Sequence, residues 1–312
     1  MSYQFHTVDV FTDAAFGGNQ LAVLPDAQGL RTEQMASITR EFNYSETVFV
    51  LPPENPSHTR KVRIFTPASE LPFAGHPTVG AAFALAITGE IHLAGDETRI
   101  VLEEGVGPVP VLIRAVGGKP VFCQLTAAKI PEKRAETCDP AVVAEVLSLD
   151  RADIDVDGDY AIESVSVGLP FLFVPIRDVG ALSRARIKVE RWEAALRTSW
   201  APEMYLFTEE ESSRRRDGVR NGDGILRARL FAPNMGVPED PATGSACASL
   251  GGYLAWRSSK RDGTLRFTVH QGIEMGRPSR LDVEADVASG EVKAVRVGGA
   301  SVLVSSGTLH VV

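Results

Sequence analysis

The chain spells one motif twice, and that repeat limits what it can fold into. Residues 63–86 read RIFTPASELPFAGHPTVGAAFALA; from Arg229 the sequence reads RLFAPNMGVPEDPATGSACASLGGYLA. Both stretches open Arg-(Ile/Leu)-Phe-x-Pro, at Arg63–Pro67 and Arg229–Pro233, and both place a further proline in register, Pro72 and Pro238. Each continues through a Gly/Pro/Thr-rich turn into an apolar run dense in small residues. The pattern predicts an apolar strand, a proline-broken loop, and a helix buried closely enough for backbone to approach backbone. Self-similarity at this scale marks duplicated structural units rather than a coincidence of two helix starts.

The flanking segments recur in the same order. Tyr3–Phe11 alternates as a strand, Phe16–Gln20 is a turn, and Leu21–Leu24 is a short buried strand before Pro25. Thr32–Phe42 has helical spacing with Thr32 as its expected N-cap, and Thr47–Leu51 and Lys61–Phe65 are strands. The first repeated helix is expected over Pro77–Ile87, with proline in the first turn where a missing amide costs nothing. Short strands follow at Arg99–Glu103 and Pro108–Ile113, then a Gly117–Pro120 turn and a strand at Val121–Leu125. Beyond a short helix at Asp139–Leu147, Val167–Pro175 echoes Gly18–Pro25, and a helix around Arg191–Arg197 precedes strands at Met204–Thr208 and Leu226–Phe231.

Strands outnumber helices and mostly follow one another through short turns. The expected fold is therefore α+β: two similar domains, each a largely antiparallel or mixed sheet curled about one central helix. The expected division is residues 1–118 with 299–312 as the first domain and 119–298 as the second, with the functional cleft between them.

Composition narrows the function. A net charge of −8 with scattered basic residues offers no basic face for nucleic acid. The one dense cluster, Arg214–Arg216, reads as a solvated hairpin loop. Three cysteines without paired spacing argue for a reducing, cytoplasmic setting rather than a disulfide or zinc framework. No apolar run is long enough to span a bilayer, and no signal peptide is expected. Acidic Asp150–Asp159 lacks the spacing and closing glutamate of a calcium loop. No metal set emerges from the six histidines, and no dinucleotide or phosphate-loop fingerprint is spelled.

The remaining polar residues gather at the two loop-to-helix junctions: Glu70, Gly75 and His76 in one copy, Asp240, Gly244 and Ser245 in the other. Two buried helices opening at facing loops would bring two positive dipole ends and several unpaired amides to one cleft. The candidate amides belong to Gly75, His76, Gly244, Ser245 and Ala246. Such a cleft suits a carboxylate or a developing enolate. Taken singly, His76 could be structural, Asp240 an N-cap, Ser245 a local hydroxyl and Glu46 a solvent-facing residue.

At these residues the sequence resembles the PhzF family of phenazine-biosynthesis-like proteins. The matching stretches are Phe16-Gly17-Gly18-Asn19 with Leu21-Ala22-Val23, Glu46-Thr47-Val48-Phe49, Arg63–Pro67, Glu70–Thr78 and Glu239–Ala246. Gln20 departs from the pattern, where a proline is usual. The resemblance implies a diaminopimelate-epimerase-like fold of two pseudo-symmetric domains, each a β-barrel-like sheet around a central helix. It also implies a cofactor-independent isomerase that moves a proton between carbons of a small carboxylate-bearing substrate, often as a homodimer. It puts the catalytic glutamate at Glu46, supported by His76, Asp240 and Ser245. Gly75, Gly244, Ala246 and Asn19 are the expected substrate-binding residues. Two other readings stay open. One is racemase or epimerase chemistry, for which Cys247 would be the thiol on one side; the other is a ligand-binding or interaction role without catalysis.

Overall fold

The computed structural model describes residues 1–134, 138–210 and 223–311. The Arg214–Arg216 cluster lies outside the described residues. The first half runs β1 (Ser2–Val10), β2 (Asn19–Leu24), α1 (Thr32–Phe42), β3 (Glu46–Leu51), β4 (Arg60–Phe65), β5 (Glu70–Leu71), α2 (Gly75–Ile87), β6 (Glu97–Glu104), β7 (Gly107–Val116), β8 (Lys119–Thr126) and β9 (Glu132–Arg134). After α3 (Pro140–Val146) come β10 (Glu163–Ser166), β11 (Pro170–Pro175), α4 (Val179–Arg184), α5 (Val189–Ala195), β12 (Glu203–Glu209) and β13 (Asp223–Ala232). The chain ends with β14 (Val237–Asp240), α6 (Gly244–Ala255), β15 (Gly263–Gln271), β16 (Ser279–Ala288), β17 (Glu291–Gly299) and β18 (Ser301–His310).

The pairing repeats strand for strand, which makes the fold α+β with two pseudo-symmetric domains. β1–β2 and β10–β11 are antiparallel; β2–β3 and β11–β12 are parallel; β3–β4 and β12–β13 are antiparallel again. The sequence β4–β6–β7–β8 has its counterpart in β13–β15–β16–β17. β8 and β17 pair with each other, and the boundary expected near residue 118 falls in the turn of the β7–β8 hairpin. The last strand of each copy crosses over: β9 pairs with β10, and β18 pairs with β1 along its length.

The reason for the shared Arg-x-Phe-x-Pro opening is a side-chain clamp. Arg63 lies over the Phe65 ring and donates through Nε and Nη2 to both carboxylate oxygens of Glu70, at 2.7 and 2.6 Å. Arg229 lies over Phe231 and donates in the same way to Glu239, at 2.8 and 2.9 Å. A planar guanidinium can stack on a ring and fork a carboxylate at once, which a lysine cannot. The clamp ties the strand to the returning β5 or β14 and so sets where the chain enters the helix. Glu70 is thereby a structural residue on the outer surface.

α2 and α6 are apolar on every side, as a helix enclosed by its own sheet must be. Every residue of α2 from Gly75 to Ala86 is buried, as is every residue of α6. α2 starts at Gly75, two residues before the expected Pro77, so the amides of Gly75 and His76 lie in its first turn. Three other local expectations shift. The N-cap of α1 is Arg31 rather than Thr32, with the Gln34 side chain accepting from the Arg31 amide at 3.0 Å. β2 begins at Asn19, inside the expected turn. α4, capped by the Asp178 carboxylate on the Ala181 amide, was not expected.

One buried acid supports the α2 start. The Thr78 hydroxyl lies 2.7 Å from the Ala74 carbonyl and 2.5 Å from Glu104 Oε1, and it has a single proton to give. That proton can go to only one of the two acceptors at a time, and when it goes to Glu104 it favours the ionised carboxylate. Burial pushes the Glu104 carboxyl up to about 8, opposed by the Thr78 contact. Between the ordinary carboxylate range and pH 8 the unfolded chain loses this proton while the folded chain keeps it. Folding then binds more protons than unfolding, and stability falls as pH rises through that window, by up to about 1.4 kcal/mol per pH unit. The expected result is that Glu104→Gln, which keeps the size and an acceptor oxygen without the titration, melts near wild type at pH 4.5 and above it at pH 8. Equal melting shifts at both pH values in differential scanning calorimetry would show that Glu104 is ionised in the fold.

Candidate active site

The mouths of α2 and α6 meet backbone to backbone. A Cβ on Gly75 would stand 2.5 Å from Cα and C of Gly244 and from N of Ser245, and a Cβ on Gly244 would stand 2.9 Å from Cα of Gly75. Only glycine at both positions permits that approach. The first-turn amides of both helices therefore converge on one region, as the repeat implied.

The strand registers set five pairs of equivalent positions at this contact. Glu46 and Glu203 open the equivalent strands β3 and β12, and Leu71 and Asp240 close β5 and β14. Four residues further along each copy lie Gly75 and Gly244, followed by His76 and Ser245. Asn19 and Leu169 precede equivalent stretches of β2 and β11. One copy therefore brings Glu46, His76 and Asn19, and the other brings Asp240 and Ser245. The mates Leu71 and Leu169 supply apolar wall.

A cavity with about 30 Å³ of free space sits at this junction, lined by Glu46, Asp240, Thr243 and Ser245. The rest of its wall is apolar and includes Leu71, Leu169, Phe171 and Met235. That volume holds about one water.

Glu46 is the first residue of β3, its side chain 12% exposed. Its Oε2 lies 3.3 Å from His76 Nε2, out of line for a hydrogen bond, and neither atom has another partner. Asp240 is surrounded by donors: Asn19 Nδ2 at 2.8 Å and Ser45 Oγ at 3.2 Å on Oδ1, and Thr243 Oγ1 at 2.5 Å on Oδ2. The Asn19 amide also reaches the Ala242 carbonyl at 3.0 Å and His76 Nδ1 at 3.2 Å. Asn19 thus stands behind the ionisable groups and ties them together rather than lining the cavity. Ser245 is on the wall, while Gly75, Gly244 and Ala246 are buried in the helix mouths.

The electrostatics separate the two acids. Burial, and after it the nearby Asp240 charge, pushes the Glu46 carboxyl well above the usual range. Burial also raises Asp240, but hydrogen bonds from Thr243, Asn19 and Ser45 oppose it. Of the pair, Glu46 holds the proton and Asp240 is the acceptor. Burial drops His76 to about 3, against a hydrogen bond to the Gln20 backbone, so its ring is neutral.

Two groups the sequence did not single out build this site. Arg277 donates from Nε to the Gly18 carbonyl at 2.8 Å and from Nη2 to the Gly17 carbonyl at 2.5 Å and Asp9 at 2.6 Å. It pins the turn before Asn19 from the other half of the chain, at a separation of some 260 residues that no local pattern signals. Thr243 and Gln271 are the other, described below. Cys247 hydrogen-bonds to Tyr205 at 3.0 Å and is absent from the cavity wall. Burial pushes its thiol up to about 12, far from a reactive thiolate. Among the described residues no cluster of metal-ligating side chains is present, and no helix is long and apolar enough to cross a membrane.

The sequence profile of the phenazine biosynthesis-like proteins matches residues 8–307. The chain belongs to the PhzF family. Its PhzF relatives include a trans-2,3-dihydro-3-hydroxyanthranilate isomerase of Pseudomonas aeruginosa, 33% identical over 95% of both chains. An uncharacterized isomerase of Mesorhizobium japonicum is 38% identical over 97% of both. A PhzF-family crystal structure from Bacillus anthracis superimposes with a TM-score of 0.84 over 100% of both chains at 24% identity, which speaks to the fold. This PhzF-family protein is thus an enzyme of the isomerase class with a diaminopimelate-epimerase-like fold.

Proposed function

We propose that this PhzF-family enzyme moves a proton between carbons of a small carboxylate-bearing substrate without a cofactor, with Glu46 as the acid and base. The observation that carries the reading is the Glu46 carboxyl, buried and short of partners, on the wall of a cavity shared with Asp240 and Ser245. Glu46 first gives its resting proton to solvent; a carboxyl raised by burial is then a stronger base, and it keeps the proton it takes from carbon long enough to return it elsewhere. The bond to hydrogen breaks at one carbon, its electron pair spreads through the adjoining π system toward the substrate carboxylate, and a new bond to hydrogen forms at the second carbon. The converging first-turn amides of α2 and α6 and the Ser245 hydroxyl would bear that developing charge. Neutral His76, beside Glu46 with its Nε2 unpartnered, would be free to bond substrate, and Asp240 would accept from a substrate N–H or O–H.

The apolar half of the wall favours an unsaturated ring as the substrate's body. With only one water's worth of space, the walls around Leu71, Leu169 and Met235 must part for entry. The relative's substrate, trans-2,3-dihydro-3-hydroxyanthranilate, is the first compound to test. Incubated with enzyme in deuterium oxide, it is expected to isomerise and to gain solvent deuterium at the receiving carbon, seen by proton NMR and mass spectrometry. If neither it nor other cyclic dienoic acids exchange above the no-enzyme rate, the isomerisation reading fails.

The racemase reading by paired thiols finds no support in the geometry. Cys247 faces Tyr205, and its equivalent position in α2 is Thr78, in a helix that contains no cysteine.

A further inference from the structure

Behind Asp240 lies a buried chain of polar groups that the proton transfer itself does not use. Gln271, the inward-facing last residue of β15, donates from Nε2 to the Asp240 carbonyl at 2.8 Å and to Thr243 Oγ1 at 3.0 Å. Its Oε1 accepts from Tyr205 Oη at 3.1 Å and from the Thr243 amide at 3.3 Å. The orientation of this amide is forced. The Asp240 carbonyl can only accept and the Thr243 N–H can only donate, so nitrogen and oxygen cannot be exchanged.

That orientation fixes every proton along the chain. Thr243 Oγ1 takes a hydrogen from Gln271, so its own hydrogen goes to Asp240 Oδ2. Tyr205 gives its hydrogen to Gln271, so in its contact with Cys247 the thiol is the donor. From Cys247 through Tyr205, Gln271 and Thr243, all donors point one way, toward the carboxyl. Gln271, Tyr205 and Cys247 are fully buried, so water does not compete for the bonds behind Thr243.

We propose that Tyr205, Gln271 and Thr243 are positioning residues for Asp240, a one-way hydrogen-bond chain that fixes this carboxyl as an acceptor and leaves the mobile proton on Glu46. The role in catalysis rests on the isomerase reading above, but the chain's effect on Asp240 does not. A hydroxyl free to turn could accept from a protonated Asp240 as readily as donate to an ionised one. Thr243 is denied that freedom by Gln271. The other ionisable groups facing Asp240 are Glu46 across the cavity, Glu239 on its own strand, Tyr205 and Cys247 behind it, and His76 through Asn19. None of these is a cation that would hold Asp240 ionised without the donors.

The test reads Asp240 directly, by ¹³C NMR of side-chain carboxyls, with the Asp240 signal assigned by its loss in Asp240→Asn. In Gln271→Met, of similar volume, the Asp240 titration is expected to move up by about one pH unit, a tenfold change in its acid constant. In Tyr205→Phe, which removes one hydroxyl and leaves the shape, it is expected to move the same way by about two- to threefold, because Gln271 stays anchored by the Thr243 amide. If Gln271→Met does not fold, Tyr205→Phe decides. A wild-type titration in the folded variants overturns the proposal. The measurement needs no turnover, so a shift without any isomerisation in the wild-type enzyme would sink the isomerase reading and leave the chain standing.

Discussion

Replacing Glu46 with glutamine is expected to slow isomerisation and solvent-deuterium exchange by about 10² to 10⁴-fold, the usual worth of a positioned acid or base, while the protein folds as well as wild type or better. The two halves of this expectation come from the same features. The carboxyl is buried, its Oε2 lacks a partner, and it stands near a second acid. An amide of equal size removes the cost of hiding an acid beside Asp240, and it cannot take a proton from carbon. A drop in rate with a fall in melting temperature would make Glu46 a structural residue. A variant that exchanges at the wild-type rate would remove Glu46 from the chemistry altogether. Asp240→Asn makes an informative partner. It leaves the Glu46 acid in place but puts an N–H where Thr243, Asn19 or Ser45 now donates, so it is expected to lower both rate and stability.

Much of this site could be read from the chain because the duplication is written in residues whose types are geometrically demanding. Arg63 and Arg229 each need a ring two residues on and a glutamate on the returning strand, so the motif survives in recognisable form. Gly75 and Gly244 are required by a backbone contact that tolerates no side chain. The pattern of strands and buried helices followed from these fixed points, and so did the approach of His76, Asp240 and Ser245; Glu46 joined them only through the family resemblance. What could not be read is what is brought together only by strand pairing. Arg277 acts on Gly17 and Gly18, and Gln271 acts on Thr243, through strands whose alternation signals burial but not the partner. The inward position of Gln271 in β15 was visible in principle as a polar residue in an apolar register. Asn19 was expected at the substrate; the fold instead places it between His76 and Asp240, a bridge between the halves that only the tertiary pairing creates.

The helix mouths offer the most severe test, because their contact is made of backbone. Gly75→Ala puts a Cβ within 2.5 Å of three backbone atoms of Gly244 and Ser245, and no rotamer change can relieve that. Overpacking a core commonly costs 1–3 kcal/mol when side chains can yield; here two helices and their sheets must move apart, and a loss of about 3 kcal/mol or more is expected in urea unfolding. Gly80→Ala is the internal comparison. It lies in the same buried helix, but its new methyl would meet the side-chain ends of Leu21 and Val10 at 2.6 Å, which can turn away. It is expected to cost less, and to leave exchange activity largely intact. Gly75→Ala is expected to lose activity even where it remains folded, since parting the helices by half an ångström withdraws the amides of both first turns from one substrate position. Equal stability losses at Gly75 and Gly80, with activity retained in both, would mean that the two mouths do not act on a shared charge, and the electrostatic part of the mechanism would have to come from elsewhere in the cavity.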